Sequence, residues 1–425
     1  MISVHQRSLA VLLLLSGVIA AEDYIPKPGE FPPSNAGHYF AGELVAVDHV
    51  NRRGALRLVG DNESNRYHSA PSFLFAMLPY GSIRYHGAPA ELRDIPIGTV
   101  LHGYFVKPRE GDISIPLPKR GARYAYHYTH ALTLEDDFSF YQRRKQSWKL
   151  TEVNLRYDSS SKQFPPLNKD GDWGQTPLHG GGLKATLQGD GDKDGLSGDK
   201  VFTVDRSTRI WRENRQIQWE DLAADDAWIF ERSNPTRDLH LKDVNAQLAL
   251  TWAPDWQNGQ FHVTDIWLDD ESRRLAIETQ RQRHIRHMRH RWLPGWVDHV
   301  DHEVGGRGKV TITLFGGSDE SLYNEIRKTA KSKGGVAAAA AEWTLRTWWQ
   351  DHDKKGGRIV DFKEITDPPF GHSGLQLTIE FHELLLGYAP KRLIRLRPNS
   401  FPNVKLPPEE RVQNMDQRIP EPYAP

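Results

Sequence analysis

The chain of 425 residues contains no cysteine. That absence removes disulfides, thiolate zinc sites, iron–sulfur clusters and cysteine nucleophiles together. Neither sign of charge prevails, because 55 Lys+Arg stand against 55 Asp+Glu. A nucleic-acid partner, which requires an excess of basic residues, is therefore not expected. Beyond the first residues, no stretch approaches the roughly 18 apolar residues that a membrane-spanning helix needs. What the chain has in quantity is rings and turn formers: 13 Trp, 14 Tyr and 16 Phe, with 35 Gly and 27 Pro. Such a composition favours short strands joined by many turns over long helices. The hydrophobic share of 38%, taken with the glycines, is near the globular norm and excludes wholesale disorder. At roughly 100–200 residues per domain, the length predicts about two to four domains.

Residues 1–21 place His5 and Arg7 ahead of the apolar run Leu9 to Ala20, with Val18 and Ala20 as small residues at a cleavage position. This is the pattern of a secretory signal peptide removed near Ala20. The remainder is expected to be soluble, without stable membrane insertion. Export without disulfides points to a secreted or periplasmic protein of a bacterial envelope, stabilised by its cores.

One pattern occurs three times, and internal repeats decide the fold when present. In the first copy, Ser72 to Met77 leads to Gly81, Ser82, Ile83, Arg84 and Tyr85. In the second, Val201 to Val204 leads to Ser207, Thr208, Arg209, Ile210 and Trp211. In the third, Val336 to Ala340 leads to Thr344, Leu345, Arg346, Thr347, Trp348 and Trp349. The shared order is strand, hydroxyl turn, arginine, aromatic and polar hairpin. Each copy opens with a hairpin signal, first Ala41 to Asp48 returning as Ala55 to Val59 through Asn51 to Gly54. Trp148 to Tyr157 with Leu183 to Gln188, and Trp296 to Glu303 with Lys309 to Phe315, repeat it. Helical candidates follow the first two copies at Asp136 to Gln146 and Asp270 to Trp292, acidic at the start and basic later as the helix dipole prefers. A third, Ser318 to Lys331, has Ser318 as its candidate N-cap.

These features resemble uncharacterised secreted bacterial proteins built from periplasmic OB-like repeats. In those repeats an opening hairpin precedes a Ser/Thr-x-Ile/Arg-aromatic strand and a closing Leu-x-x-Gly-Asp/Thr segment. The closing segment stands here as Ile95, Pro96, Ile97, Gly98 and Thr99, and without its glycine as Leu222, Ala223, Ala224, Asp225 and Asp226. The resemblance implies a mainly β fold of three tandem OB-like β-barrels with connecting helices. The barrels are expected at 38–134, 148–270 and 296–399, with a Pro-rich tail at 400–425.

Three constellations carry candidate chemistry. Asp190, Asp192 and Asp194 alternate with glycine and lysine, as in a loop that wraps oxygen ligands around calcium. Val201 stands where such a loop places its bidentate glutamate, so a solvated Asp-Gly hairpin is the competing reading. His284, His287 and His290 recur every third residue among five arginines from Arg281 to Arg291. Neighbouring imidazoles on one helix face suit zinc, copper or nickel. The arginines oppose a cation and fit a solvated face or an anionic partner instead. Tyr85, Arg209, Trp211, Arg346, Trp348 and Trp349 join rings to guanidiniums, which suits stacking on sugars. A shared core position explains the same recurrence.

No nucleophile elbow, phosphate loop or His-Glu-x-x-His motif is present. His382 and Glu383 begin the last of these, but Leu386 ends it. The expectation is an exported, non-enzymatic binding or scaffolding protein whose ligand is a polysaccharide or another envelope protein, with no cofactor beyond calcium in the Asp loop. A carbohydrate-active hydrolase with a cleft between barrels, and a metal-handling periplasmic protein, are the alternatives.

Overall fold

The computed structural model describes residues 24–33, 36–49, 51–58, 72–109, 128–154, 181–189, 199–204, 208–217, 230–232, 239–241, 247–255, 260–341 and 354–402. Residues 1–21, the loop bearing Asp190, Asp192 and Asp194, the segment bearing Arg346, Trp348 and Trp349, and the tail beyond 402 lie outside the described residues.

The protein is mainly β, with two closed barrels. The N-terminal one uses β1 (His38–Asp48), β2 (Arg53–Leu58), β3 (Phe73–Tyr85), β5 (Val100–Val106) and β6 (His130–Asp136), with the short β4 (Ala88–Ala90) on the edge. Its order is β2-β1-β5-β6-β3-β4, and pairing of β2 with β3 closes the ring. The turn between β1 and β2 falls where the sequence places it. Asp48 accepts hydrogen bonds there from the backbone and side chain of Asn51, at 3.1 and 2.9 Å, a side-chain-to-backbone bond that holds the reversal. β3 and β6 run parallel, but their register jumps between Met77 and Ser82.

That jump lets one strand serve two cores. Phe73, Phe75 and Met77 belong to the N-terminal barrel core. Leu78 and Tyr80 instead join a second cluster with Trp296, Phe315 and Leu393 of the C-terminal barrel. β3 therefore reads as a nearly continuous apolar run, as a strand covered on both faces must.

In the middle of the chain, β7 (Gln146–Asn154), β8 (Gly181–Gly189), β9 (Asp199–Val204), β10 (Arg209–Arg212), β11 (Arg215–Ile217), β14 (Gln247–Asp255) and β15 (Gln260–Trp267) form a sheet ordered β11-β10-β15-β14-β7-β8-β9. β12 (Phe230–Arg232) and β13 (Leu239–Leu241) pair with each other separately. β9 and β10 both run parallel to β15, as the two halves of β3 do to β6. The internal repeat thus has a counterpart in strand pairing over its first two copies.

The helices end earlier than the hydropathy pattern implies. α1 (Asp137–Arg143) stops because Lys145 takes a left-handed backbone, φ 55°, and Gln146 already opens β7. α2 (Asp270–Arg291) stops at Trp292, φ 67°. Asp136 and Asp269 cap them in the same way, accepting from Ser139 N at 3.0 Å and Ser272 N at 2.7 Å, which satisfies amides that the first turn leaves open. α3 (Glu320–Lys331) is capped by Asp319 and not by Ser318. The carboxylate of Asp319 takes the Ser321 amide at 3.0 Å, while the Ser318 amide donates to Tyr323 Oη at 3.1 Å.

The C-terminal barrel departs from the other two copies. β16 (Leu293–His302), β17 (Gly308–Phe315), β18 (Gly335–Ala341), β19 (Lys354–Glu364), β20 (His372–Phe381) and β21 (Leu393–Pro398) close in the order β16-β17-β20-β19-β18-β21. Every pairing in it is antiparallel. The expectation of three equivalent barrels does not extend to this strand order. A sixth strand and α3 replace the parallel closure.

Although the middle copy separates them in sequence, the two closed barrels touch. Tyr80, Trp296 and Phe315 meet with ring centroids 5.3 to 6.4 Å apart, and Phe31 packs on Tyr80 at 5.5 Å. Two glycines allow the approach. Gly371, φ 83°, lies so close that a Cβ would stand 2.9 Å from the Tyr80 ring, and one on Gly317, φ 86°, would stand 2.7 Å from Ser82 Cβ. Trp296 is 1% exposed at the centre of this contact. Trp296→Ala is expected to destabilise the protein by about 3–5 kcal/mol in urea unfolding with far-UV circular dichroism unchanged. A loss below about 1 kcal/mol would show that the barrels do not stabilise each other.

Candidate functional site

α2 carries a group of buried titratable side chains. Its buried residues include Gln280, His284, His287 and Arg291, spaced four, three and four apart along one face of the helix. Burying a polar stripe is unfavourable unless its groups are matched. Gln280 Nε2 donates to Pro89 O at 3.3 Å and to Asp94 Oδ2 at 3.2 Å, and His287 Nδ1 lies 3.4 Å from Arg93 Nη1. The neighbouring Ile285 and Met288 enter the C-terminal barrel core. α2 is thus a wedge with its polar stripe toward the N-terminal barrel and an apolar strip toward the C-terminal one.

The stripe ends in a cleft whose lining includes Arg52, Glu91, His284, His287, Arg291 and Arg395. Arg52 comes from the β1–β2 turn, in left-handed backbone at φ 53°. Its guanidinium donates to Glu91 Oε2 at 3.0 Å, Leu78 O at 3.2 Å, Pro79 O at 3.4 Å and Gly81 O at 2.9 Å. These are the carbonyls left open where β3 breaks its register. Burial opposes the charge on Glu91, but Arg52 and then Arg291 outweigh it and hold the carboxyl below its ordinary range. Arg395 Nη1 donates to Arg291 O at 2.5 Å, at the negative end of the α2 dipole. Burial pushes the Arg291 pKa down to about 10 and that of Arg395 well below its ordinary value. Desolvation likewise lowers the His284 pKa to about 4, so its ring is neutral near pH 7.

The histidines predicted from sequence lie on α2 with different exposure. His284 and His287 are buried while His290 is exposed. Among the described residues, no group of three or more His, Asp or Glu is gathered as a metal would require. Two of the arginines turn inward to the protein itself. Arg281 Nε donates to Asp319 Oδ2 at 2.6 Å, joining α2 to the cap of α3, and Arg289 pairs with Glu325.

Comparison with known protein families, curated proteins and solved structures finds no match. The assignment of a role therefore rests on the geometry.

Of the predicted ring–guanidinium residues, the structure brings Tyr85, Arg209 and Trp211 together. Asp265, 1% exposed, accepts from Arg209 Nη2 at 2.6 Å and from Trp211 Nε1 at 2.8 Å, and the Tyr85 hydroxyl meets Arg209. The group forms the contact between the N-terminal barrel and the middle sheet. Tyr85 is 5% exposed and stacked on His86 at 3.8 Å, and His86 in turn meets Trp267 at 4.7 Å. Counted from the hairpin turns at 86–87 and 213–214, Tyr85 corresponds to Arg212 and Arg84 to Trp211. A shift of one residue sends side chains to opposite faces, so the recurring aromatics are not one repeated position.

A second polar network was not legible in sequence. Tyr39 Oη lies 2.7 Å from His102 Nδ1, His102 Nε2 lies 3.1 Å from Asp137 Oδ1, and Trp148 Nε1 donates to Asp137 Oδ2 at 3.2 Å. The order tyrosine, imidazole, carboxylate is that of a proton relay. Phe140 lies flat on the imidazole at 3.9 Å and His102 is 2% exposed, so no ring face is open to a substrate. The network ties α1 and the start of β7 to the N-terminal barrel.

His86 gives the site a pH dependence. Desolvation is the main cause that lowers its pKa to about 4; Asp265 opposes this, while Arg209 and Arg283 add to it. The folded value lies below the unfolded one, so the stability is complete above about pH 6.5 and is lost as pH falls toward 4. His86→Asn suits the left-handed backbone, φ 51°, and is expected to flatten the fall in unfolding free energy over that range by roughly 3 kcal/mol. Parallel curves for wild type and variant in urea unfolding at several pH values would rule out this origin.

Proposed function

We propose that the protein is an exported, non-catalytic scaffolding protein of the bacterial envelope that docks another envelope protein. Its repeats are OB-like barrels. The hairpin-first order and the parallel pairings of β3 with β6 and of β9 with β15 support that assignment for the first two. The signal-like pattern of residues 1–21 supports export.

The observation that carries docking is a pair of apolar loop tips at one end of the C-terminal barrel. Val304 is 98% exposed in the β16–β17 hairpin and Leu386 is 104% exposed in the loop after β20. The two loops are adjacent, since Leu384 N donates to Gly306 O at 2.9 Å. Two fully exposed apolar residues on adjacent loops support a contact surface at this end of the barrel. Polysaccharide stacking has less support, because Tyr85 is enclosed between barrels and Trp211 is committed to Asp265. A hydrolase in the inter-barrel cleft needs two cooperating carboxyl groups, and the cleft lining contributes Glu91, already bound by Arg52.

With immobilised protein lacking residues 1–21, an envelope protein retained by the wild type is expected to be lost by the double variant Val304→Glu, Leu386→Glu at unchanged melting temperature. Equal retention by both, or turnover of any glycan in an array with product analysis, would overturn the reading.

A further inference from the structure

α2 meets the two closed barrels by different chemistry. Toward the C-terminal barrel it sends Ile285 and Met288 into the core, and Arg281 and Arg289 form ion pairs there with Asp319 and Glu325. Toward the N-terminal barrel it presents Gln280, His284 and His287, the two histidines being 2% and 4% exposed. That second contact depends on uncharged imidazoles. His287 Nδ1 lies 3.4 Å from Arg93 Nη1, and a guanidinium can only donate, so the bond needs a lone pair on Nδ1 and hence a neutral ring. Among the described residues, neither ring nitrogen of His284 has a hydrogen-bond partner. Burial without a partner disfavours the charged form.

The surroundings favour the neutral rings. His287 faces Arg93 of the N-terminal barrel, Arg395 of β21, and Arg291 and His284 of its own helix. His284 faces Arg52 and two carboxylates, Glu91 and Asp319. Arg52 already binds the first carboxylate, and Arg281 the second. His49, in the β1–β2 turn, stands near Arg93 and Arg291 and adds a further cation in acid. Protonation of His287 turns its accepting nitrogen into a donor aimed at Arg93, so that a bond becomes a contact between two cations. Burial is the main cause that lowers the pKa of both rings, that of His284 to about 4.

We propose that α2 is an acid-released clamp, in which protonation of His284 and His287 detaches the helix from the N-terminal barrel and leaves it seated on the C-terminal one. The released rings bind protons with ordinary histidine affinity and the docked rings do not. The docked state is therefore complete above about pH 6.5 and is lost as pH falls. With two rings, the opening equilibrium rises by up to about a hundredfold per pH unit over that fall. Each closed barrel has its own apolar core, so opening does not require either to unfold. The clamp is separate from the docking surface at Val304 and Leu386.

The test is pulsed electron paramagnetic resonance on the protein lacking residues 1–21, from about pH 8 to about pH 4, with two pairs of spin labels. The chain has no cysteine, so labels attach only where cysteines are introduced. Arg286→Cys, at an exposed position of α2, is paired with Ile97→Cys on the N-terminal barrel, 59% exposed, or with Ile365→Cys on the C-terminal barrel, 40% exposed. The first distance is expected to lengthen between about pH 6 and pH 4 and the second to stay constant, with far-UV circular dichroism unchanged. In the double variant His284→Met, His287→Met, where methionine fills the space without a titratable group, the lengthening is expected to move down by at least about one pH unit. His86 and the acidic ion pairs are the same in both proteins and do not contribute to that difference. A first distance that holds until the strand signal is lost, or a variant that opens at the wild-type pH, would overturn the inference. Should the variant not dock at neutral pH, nitrogen-15 chemical shifts of the wild-type imidazoles decide. Charging of His284 and His287 that coincides with the lengthening supports the clamp, and charging near pH 6.5 at an unchanged distance refutes it.

Discussion

The structure depends on how Arg52 accommodates the break in β3. Between Met77 and Ser82 that strand leaves its pairing with β6, and a buried strand cannot release its carbonyls without replacement donors. One guanidinium supplies them, reaching Leu78, Pro79 and Gly81 together while Glu91 balances its charge. Arginine suits this because its donors are fixed in a planar fork. The break turns Leu78 and Tyr80 outward onto Trp296 and Phe315, so the same event that interrupts the N-terminal barrel creates its contact with the C-terminal one.

α2 occupies the wedge between them. Its length and end charges follow from sequence, with acids at the N-terminus and Arg289, His290 and Arg291 at the other end, each complementing the dipole. Its orientation does not. A helix usually buries its apolar face, whereas here a stripe of Gln280, His284, His287 and Arg291 is buried as well. The stripe is tolerated because Asp94, Pro89 and Arg93 meet it from the N-terminal barrel, and it concentrates basic groups at one cleft. A face that reads as solvated in sequence is thereby buried in the fold.

The repeat shows how divergence separates what composition makes alike. The aspartate caps recur at Asp136 and Asp269 with their serines three residues on, because the same helix start follows the same closing strand. The arginine–aromatic pairs of the first two copies do not superpose. Tyr85 and Trp211 fall on different positions relative to their turns, and each satisfies a local need: Tyr85 closes over His86, and Trp211 donates to Asp265. Shared residue types here report a shared location, the joint between barrel and sheet, more than a shared ligand.

Several features were set by sequence alone. Zero cysteine rules out disulfides and thiolate sites in any fold. Period-two apolar alternation and the turn at Asn51 specify strands and a hairpin because those signals act over a few residues. The helix starts are equally local, since a cap requires only a carboxylate within reach of the first-turn amides. Only the tertiary structure decided which face of α2 is buried, that the C-terminal barrel closes through antiparallel strands, and that Arg52, His284, Arg291 and Arg395 share one cleft. Arg52 and Arg395 are 343 positions apart in a chain of 425 residues. No local pattern encodes their meeting; it follows from packing Tyr80 on Trp296 and from the charge that this packing encloses.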